Sequence, residues 1–247
     1  MDPTIYAAYF KFERYHWWNL GKLSIVESLV RRYCSQTEPL KLIDIGAGTG
    51  SYAEFFAKKG MMVEAHDGSP LAMPYLRDVC AHCVQKKFPD DYRQCNPEYD
   101  VVLLLDMIEH LQDDRSGIDA ALRLLKPGGI LLCTVPACKR MWGEYDVVAH
   151  HYRRYDLSEV RELVKDKRAR IEKISYYSTL LFPFLFTVRF FENMAFRISR
   201  RAPVYRPHFL PGFFNFFLKI IFSFEKYLIK FMDFPFGSSI VLVCRKL

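Results

Sequence analysis

Residues 42–50 read Leu-Ile-Asp-Ile-Gly-Ala-Gly-Thr-Gly, and this short stretch limits the fold more than any other part of the chain. A run of apolar residues that contains one acid leads directly into three glycines at alternating positions. Such a run predicts a buried strand of a parallel sheet, and the glycines predict a tight loop between that strand and a following helix. Because Gly46, Gly48 and Gly50 have no Cβ, the loop can turn sharply and its backbone can approach a ligand closely.

The spacing of the glycines separates two classes of nucleotide-binding loop. A dinucleotide-binding loop has the pattern Gly-x-Gly-x-x-Gly, which seats a pyrophosphate at the N-terminus of the helix. Here the third glycine comes one position earlier, and Ser51 follows it. The pattern resembles the first motif of class I S-adenosylmethionine (SAM)-dependent methyltransferases, and this resemblance implies that SAM is the cofactor and S-adenosylhomocysteine the product. A glycine-rich turn that binds no ligand is the alternative.

Strand and helix patterns alternate through the middle of the chain. This alternation predicts a doubly wound parallel sheet with right-handed crossovers, in which ligands bind at the carboxyl ends of the strands. The family resemblance implies an α/β fold with a seven-stranded, Rossmann-like methyltransferase sheet whose last strand is antiparallel. We predict strands at 41–45, 62–66, 83–87, 100–105, 130–135, 171–176 and 239–244, helices at 52–59, 71–83 and 116–125, and a turn at 126–129.

Three acids stand in or directly after predicted strands, near the edge where a ligand would bind. Asp44 can attract the cationic amino and sulfonium groups of SAM. Asp67 follows the second strand, where the resemblance implies a carboxylate that accepts both ribose hydroxyls, and capping of the next helix is the alternative. The predicted cofactor-binding residues are Asp44, Gly46, Ala47, Gly48, Gly50, Asp67, Gly68, Asp106 and Met107.

One region departs from the family pattern. The family has an acid followed by a small residue after the third strand, where the adenine binds. In this chain residues 84–92 read Val-Gln-Lys-Lys-Phe-Pro-Asp-Asp-Tyr. The sequence therefore leaves the adenine contacts unassigned.

A second motif follows the fifth strand, where an acid at 146 precedes two histidines, two arginines and a tyrosine within residues 150–155. With Glu-x-x-His-Trp-Trp at 13–18, it resembles a methyltransferase subgroup associated with ubiquinone-type lipids, surface polysaccharides and lipid-linked glycans. The resemblance covers residues 13–177 and the final strand. Methyl transfer to a hydroxyl is helped by a base, and we choose His151 for this role, with His150 as the second candidate. A purely structural histidine is the alternative.

The remaining candidates are predicted to contact the methyl acceptor. Arg153 and Arg154 can hold a phosphate or a carboxylate, although solvated arginines would show the same pattern. Glu109 and His110 follow the strand that passes the reaction centre in similar methyltransferases, or they only begin a helix. The tryptophan pair forms either a lid over the site or an outer cap on the core. The predicted substrate-binding residues are His16, Trp17, Glu109, His110, Arg153, Arg154 and Tyr155.

The sequence divides into three parts. Residues 1–36 predict an N-terminal helical cap, because Ile25, Leu29 and Tyr33 recur at helical spacing. Residues 37–177 are predicted to form the SAM-binding domain, which the strand within 238–247 completes. Residues 178–237 are an insertion between the last two strands, where a minimal methyltransferase has a short hairpin.

The insertion has an unusual composition. It holds 16 of the 21 phenylalanines and a net charge of +5, most of the excess of +7 in the chain. We predict helices at 180–197 and 213–232, both too interrupted by charges to span a bilayer. The second helix has aromatic residues on one face and basic residues on another, which is typical of a membrane-interface helix and predicts a substrate cap that faces a membrane. Packing on the domain, or on a second copy in a homodimer, is the alternative.

Composition bears on compartment and partners. The seven cysteines are scattered, and the pair at 80 and 83 has no second pair or histidines at zinc spacing, so we expect reduced thiols and no metal site. No signal-peptide pattern opens the sequence, which favours the cytoplasm and the inner face of the membrane. The basic residues of the insertion are too mixed with apolar ones for a nucleic-acid module, so we expect no nucleic-acid partner.

These patterns predict a SAM-dependent methyltransferase. Its expected acceptor is a hydroxyl of an amphipathic or lipid-linked molecule, such as a polyprenyl-linked sugar, a glycolipid or a quinone-type lipid, at the membrane surface. A membrane-associated scaffold that binds SAM or a nucleoside without catalysis is the main alternative, and the glycine spacing disfavours a NAD(P)-dependent oxidoreductase. Fold resemblance alone does not choose among O-, N- and C-methylation.

Overall fold

The computed structural model describes residues 3–34, 39–199 and 210–247, and its centre is one seven-stranded sheet. The strands are β1 (Lys41–Ile45), β2 (Met62–Asp67), β3 (His82–Gln85), β4 (Tyr99–Leu105), β5 (Leu125–Pro136), β6 (Ala169–Tyr177) and β7 (Ser239–Lys246). Their order is β3-β2-β1-β4-β5-β7-β6. Strands β1 to β5 pair in parallel, and β7 runs antiparallel to both β5 and β6. This is the doubly wound, Rossmann-like sheet that the sequence predicted.

Helices cover both faces of the sheet and produce three layers. The helices are α1 (Pro3–Tyr15), α2 (Trp17–Tyr33), α3 (Ser51–Lys58), α4 (Met73–Val79), α5 (Asp114–Leu124), α6 (Glu144–Val148), α7 (Leu157–Leu163), α8 (Phe182–Ser199) and α9 (Gly212–Leu228). On one face α2, α3, α4 and α9 contribute to the core, and on the other α5 and α7 do so. The apolar runs of β1 and β4 lie between these layers, which explains why their sequences are apolar on both faces.

The structure corrects several predicted boundaries. The helix expected at 71–83 ends at Val79, because His82 pairs with Glu64 and thereby starts β3. The turn expected at 126–129 is a bulge inside β5, since the strand pairs at Leu125 and resumes at Ile130. The predicted domain boundary at 36–37 lies outside the described residues, as do residues 200–209 between the two helices predicted in the insertion.

The N-terminal helical cap consists of two helices, α1 and α2, with a break at His16. His16 has an extended backbone, and its Nδ1 accepts a hydrogen bond from the Trp18 N–H, so this histidine caps the start of α2. Asn215 of α9 bridges the break, because its Oδ1 accepts the Trp17 N–H and its Nδ2 donates to the Tyr15 carbonyl. The N-terminal helices and the inserted helix α9 are therefore joined by direct polar contacts.

Helix α9 has one face in the core and one face in water. Phe222 is fully buried and contacts Gly21 of α2, where an added Cβ would come within 2.3 Å of the Phe222 ring. None of the helices in the described residues combines the length and the apolar character needed to span a bilayer. The large exposed apolar side chains of α8 and α9, here called the aromatic surface, are Phe184, Val188, Phe190, Phe191, Met194, Ile198, Phe213, Phe214, Phe216, Phe217, Ile220, Ile221, Phe224 and Tyr227.

Candidate functional site

The glycine loop lies at the carboxyl edge of the sheet, directly after β1. Gly46, Gly48 and Gly50 all have positive φ angles, of 75°, 58° and 80°. A Cβ on Gly46 would also lie 2.8 Å from the Met107 Sδ, so both the conformation and the space require glycine there. The amides of Gly46 and the buried Ala47 both donate to the His66 carbonyl of β2, which fixes the loop against the neighbouring strand.

Asp67 ends β2 and faces the glycine loop. Its Oδ2 accepts the Gly48 N–H at 2.9 Å, and its Oδ1 accepts the Ser69 N–H at 2.8 Å, across the exposed Gly68. Burial raises the pKa of this carboxyl, and the two amide hydrogen bonds oppose that rise. Each carboxylate oxygen keeps a further acceptor site, so Asp67 can still receive two vicinal hydroxyls.

Asp44 is a buried acid with an unused acceptor. It is 2% exposed, and its Oδ2 has no hydrogen-bond partner within the described part of the chain. Burial raises its pKa to about 7, and the nearby Glu13 carboxyl adds to the rise. A cationic ligand group would satisfy this carboxylate and stabilise its ionised form.

Asp106 follows β4 and is held by an ion pair that the sequence did not reveal. The Nζ of Lys22, a buried residue of α2, lies 2.7 Å from the Asp106 Oδ2. The Thr134 hydroxyl donates to the other carboxylate oxygen. Burial would raise the pKa of Asp106, but the charge and hydrogen bond of Lys22 outweigh it and lower the pKa. Lys22 thus brings an ammonium group among the acids of the site.

Glu13 is a second residue that sequence reasoning left out of the site. It belongs to α1, and its carboxylate accepts a hydrogen bond from the Thr49 hydroxyl at the end of the glycine loop. A Cβ on Gly48 would lie 3.3 Å from its Oε1. Burial raises the pKa of Glu13, and the Thr49 hydrogen bond opposes the rise. The Glu-x-x-His-Trp-Trp motif contained this residue, but only packing of α1 on the loop shows its position.

The residues around the glycine loop fit SAM. Its amino and sulfonium groups are cationic, and the loop is surrounded by Glu13, Asp44, Asp67 and Asp106. The orphaned oxygen of Asp44 would gain a partner, and Lys22 is available to a carboxylate. These contacts agree with a cofactor that carries charges of both signs.

His151 and Asp146 form a hydrogen-bonded pair beside this edge. The His151 Nδ1 lies 2.9 Å from the Asp146 Oδ1, and the fully buried Asp146 also accepts from Arg154 Nε and from the Gly143 N–H. Burial would raise the pKa of Asp146, but His151 and Arg154 lower it overall. Because Asp146 is then an acceptor only, we assign the proton to His151 Nδ1, which leaves Nε2 free to accept a proton.

Glu109 and His110 lie next to His151. Neither carboxylate oxygen of the fully buried Glu109 has a hydrogen-bond partner in the described residues, and burial, with the Asp106 charge, raises its pKa well above the usual value. Burial and the nearby His151 lower the pKa of His110 to about 4. Ligand atoms of the three residues lie within 4.8 Å of one another, an arrangement that can hold a metal ion. The expectation of no metal site rested on the cysteines and on histidines at zinc spacing from them, and it did not consider this group. The seven cysteines are free thiols.

The structure assigns other contacts to several predicted substrate residues. Arg154 is buried and bonds Asp146 and the Ala137 carbonyl, so it holds the segment in place instead of facing a substrate. Arg153 and Tyr155 both contact the Asp114 carboxylate, and Tyr155 is buried. The motif indicated the chemistry of these side chains but not their direction.

Three more residues that were predicted for the site have other surroundings, and they are His16, Trp17 and His150. The imidazole of His16 caps α2 and stacks on Phe12, and Trp17 is buried against Phe222, so both belong to the helix packing. The alternative of an outer cap on the core describes these positions better than the lid. His150 is exposed at a positive φ of 57°, next to the ordered His151–Asp146 pair.

Known proteins resemble the chain in sequence and in fold. A family model for methyltransferase domains matches residues 23–174. A ubiquinone biosynthesis O-methyltransferase of Cereibacter sphaeroides is 34% identical over 105 residues, which are 39% of this chain and 41% of that protein. The chain thus aligns with about two fifths of the length of the curated relatives that it matches.

Solved structures share the architecture. A SAM-dependent methyltransferase of Archaeoglobus fulgidus is 13% identical, with a TM-score of 0.57 over 97% of this chain and 99% of that one. Magnesium protoporphyrin IX methyltransferase of Synechocystis, solved with bound SAM, is 16% identical, with a TM-score of 0.52 over 93% of this chain and 81% of that one. At these identities the likeness concerns the fold.

Proposed function

Because the chain belongs to the class I SAM-dependent methyltransferases, we propose that it transfers a methyl group to a hydroxyl of an amphipathic or lipid-linked acceptor at a membrane surface. The observation that carries this proposal is the His151–Asp146 pair, which lies at the same edge of the sheet as the glycine loop. The Cereibacter sphaeroides relative is an O-methyltransferase of ubiquinone biosynthesis, and this supports a hydroxyl acceptor and a quinone-type lipid.

The cofactor would be held by the acids of the glycine loop. Asp67 would receive the ribose hydroxyls, Asp44 the cationic amino group, and Lys22 the carboxylate. When bound, SAM supplies an electrophilic methyl group. Burial of these side chains favours binding, since an ion pair is stronger where water is excluded.

His151 would act as the general base. Its Nε2 would take the proton of the acceptor hydroxyl as the oxygen bonds to the methyl carbon and the bond from that carbon to the sulfonium sulfur breaks, with S-adenosylhomocysteine as the leaving group. Asp146 stabilises the resulting imidazolium, and Arg154 and the Gly143 amide hold Asp146 in place. General-base assistance of this kind contributes roughly 10²- to 10⁴-fold to a rate, and alignment of the reactants contributes more.

The aromatic surface would contact the membrane. Phe213 is 67% exposed, and neighbouring aromatic side chains of α9 are similarly exposed, which is unusual for a helix that faces water. Lys219, Lys226 and Lys230 follow or alternate with them in sequence. Aromatic residues beside basic ones are typical of a helix that lies in the headgroup region of an anionic bilayer. We place the protein peripherally, on the cytoplasmic face.

The first test measures cofactor binding and turnover separately. Calorimetric titration with SAM and with S-adenosylhomocysteine is expected to show micromolar binding of both. With a membrane-lipid extract as acceptor, His151→Ala should lower formation of S-adenosylhomocysteine roughly 10²-fold or more while SAM binding is unchanged. His150→Ala is the matched control, because its exposed side chain should leave the rate nearly intact.

Other outcomes would redirect the proposal. Normal turnover by His151→Ala would remove this residue as the base. Binding of SAM without turnover on any extract would favour the catalytically silent scaffold. Absence of binding by folded protein would reject the cofactor site altogether.

A further inference from the structure

Helix α8 packs on the segment that carries Asp146, the carboxylate that is hydrogen-bonded to His151. The Asn193 Nδ2 donates to the Trp142 carbonyl at 2.8 Å. An added Cβ on Gly143 would lie 1.8 Å from the Asn193 Oδ1, so the helix and the segment are in close contact. The Gly143 amide also bonds Asp146, which orients His151. The inserted cap therefore borders the reaction site directly.

Arg189 stands one helical turn before Asn193 and points at the same segment. Its guanidinium carbon lies 5.5 Å from the centre of the Tyr145 ring, and this ring packs edge-on against His151 with centres 5.8 Å apart. The Tyr145 ring therefore contacts both the guanidinium and the base. Within the described residues, the Arg189 guanidinium donates one long hydrogen bond, 3.5 Å to Glu192, and the side chain is 26% exposed. Its fork of donors is thus accessible and weakly engaged.

The charges around the site differ between the interior and the rim. Inside the site, Lys22 pairs with Asp106 and Arg154 pairs with Asp146, so the charges beside His151 already balance one another. Arg189 brings a cation to the rim, between Val188 and Phe190 of the aromatic surface. An acceptor with its tail on that surface and its hydroxyl at His151 would have its linking group, the part that joins the tail to the hydroxyl, beside Arg189.

We infer that Arg189 is a subsite for an anionic linking group, a phosphate or a carboxylate, in the methyl acceptor. This inference rests on the proposed function and narrows it, because it favours a phosphate-linked lipid glycan or an acidic lipid over an uncharged quinone-type lipid. The guanidinium is suited to this task, since its planar fork binds both classes of oxyanion in a bidentate manner. The anionic group would lie about the span of one tyrosine side chain from the reacting hydroxyl.

The test compares two ligands with the same lipid tail, one with a phosphate group and one without. Farnesyl phosphate and farnesol, in matched micelles of a zwitterionic detergent, are titrated into the full chain with S-adenosylhomocysteine present. Wild type is expected to bind the phosphate about tenfold more tightly or better. Arg189→Gln should abolish this preference, and Arg189→Lys should keep part of it because a point charge remains. Arg170→Gln is the matched control, an exposed arginine at the far end of β6 that pairs with Glu172.

Inorganic phosphate serves as a third ligand and separates the anion from the lipid. At millimolar concentration it should compete with farnesyl phosphate for wild type but not for Arg189→Gln. Equal binding of both farnesyl compounds by wild type, or an unchanged preference in Arg189→Gln, would overturn the inference. SAM titration and vesicle flotation of wild type test the proposed function separately. If either failed while the preference for farnesyl phosphate still depended on Arg189, the proposed function would be rejected and the subsite would stand.

Discussion

The glycine-loop edge and the aromatic surface violate the usual rule of burial in opposite ways. At the edge, Asp44 and Glu109 are buried acids with unpartnered oxygens in the described residues. On the surface, Phe213 and Phe224 are apolar side chains in contact with water. Each arrangement is unfavourable when empty, because buried polar groups need partners and exposed apolar groups favour a non-aqueous contact. Both regions therefore have groups that a ligand or a surface outside the chain could satisfy.

Helix α9 belongs to both regions and shows how they are joined. Its inner face buries Phe222 and Glu225, and the Glu225 carboxylate accepts the amides of Ser178 and Leu180 at the turn before α8. Its outer face exposes Phe217. The insertion is therefore fastened to the core, and deleting residues 178–237 would expose core residues as well as remove the surface. Point substitutions on the two faces separate these effects.

The largest expected effect comes from substituting the two faces of α9. Phe222→Ala should lower the free energy of unfolding by about 3–5 kcal/mol, because it leaves a cavity against α2. Phe217→Ala should change stability by less than about 0.5 kcal/mol and instead weaken binding to vesicles. Urea unfolding and vesicle flotation measure the two quantities. A large loss of stability in Phe217→Ala would mean that its face is not free, and the contrast between core and surface would fail.

The fold was predictable because its signals are local. Apolar runs of the right length, such as those of β1 and β4, identify strands, and their alternation with helices gives the sheet. The break at His16 was missed, since a histidine is not a common helix cap and no glycine or proline marks the position. The early end of α4 depends on pairing of β3 with β2, which local sequence does not encode.

The position of a candidate residue was easiest to predict where it follows a strand. Asp67 and Asp106 lie at one edge of the sheet because the carboxyl ends of neighbouring strands meet there. Glu13 and Lys22 were missed, because they reach the site through packing of α1 and α2. Arg154, in contrast, was assigned to the substrate on its chemistry, although it bonds Asp146 inside the protein.

A pH titration tests whether the buried edge is built for a cation. The pKa of Asp44 is about 7, above its ordinary value of roughly 4, so between these values the unfolded chain has lost a proton that the folded protein keeps. The free energy of unfolding should therefore fall as pH rises from about 4 to about 7 and then level off. SAM affinity should rise over the upper part of this range, by at most about tenfold per pH unit, because the cation prefers the ionised carboxylate.

Asp44→Asn is the control for this titration. The difference between wild type and variant isolates Asp44 from Glu13 and Asp67, whose pKa values are also raised by burial. Calorimetry at several pH values measures SAM affinity, and urea unfolding measures stability. The same pH dependence in wild type and variant would show that Asp44 does not receive the cationic group.

The smallest expected effect concerns the basic residues beside the aromatic surface. Lys219→Gln should weaken partition onto anionic phosphatidylglycerol vesicles by about 1 kcal/mol, or about fivefold, because one attraction to the surface is lost. The loss should shrink on zwitterionic vesicles and at high salt, where charges are screened. Lys165→Gln, which removes an exposed lysine just after α7, is the matched control. If both variants partition alike, net charge alone draws the protein to the membrane, and the aromatic surface loses its distinct role in orienting the acceptor toward His151.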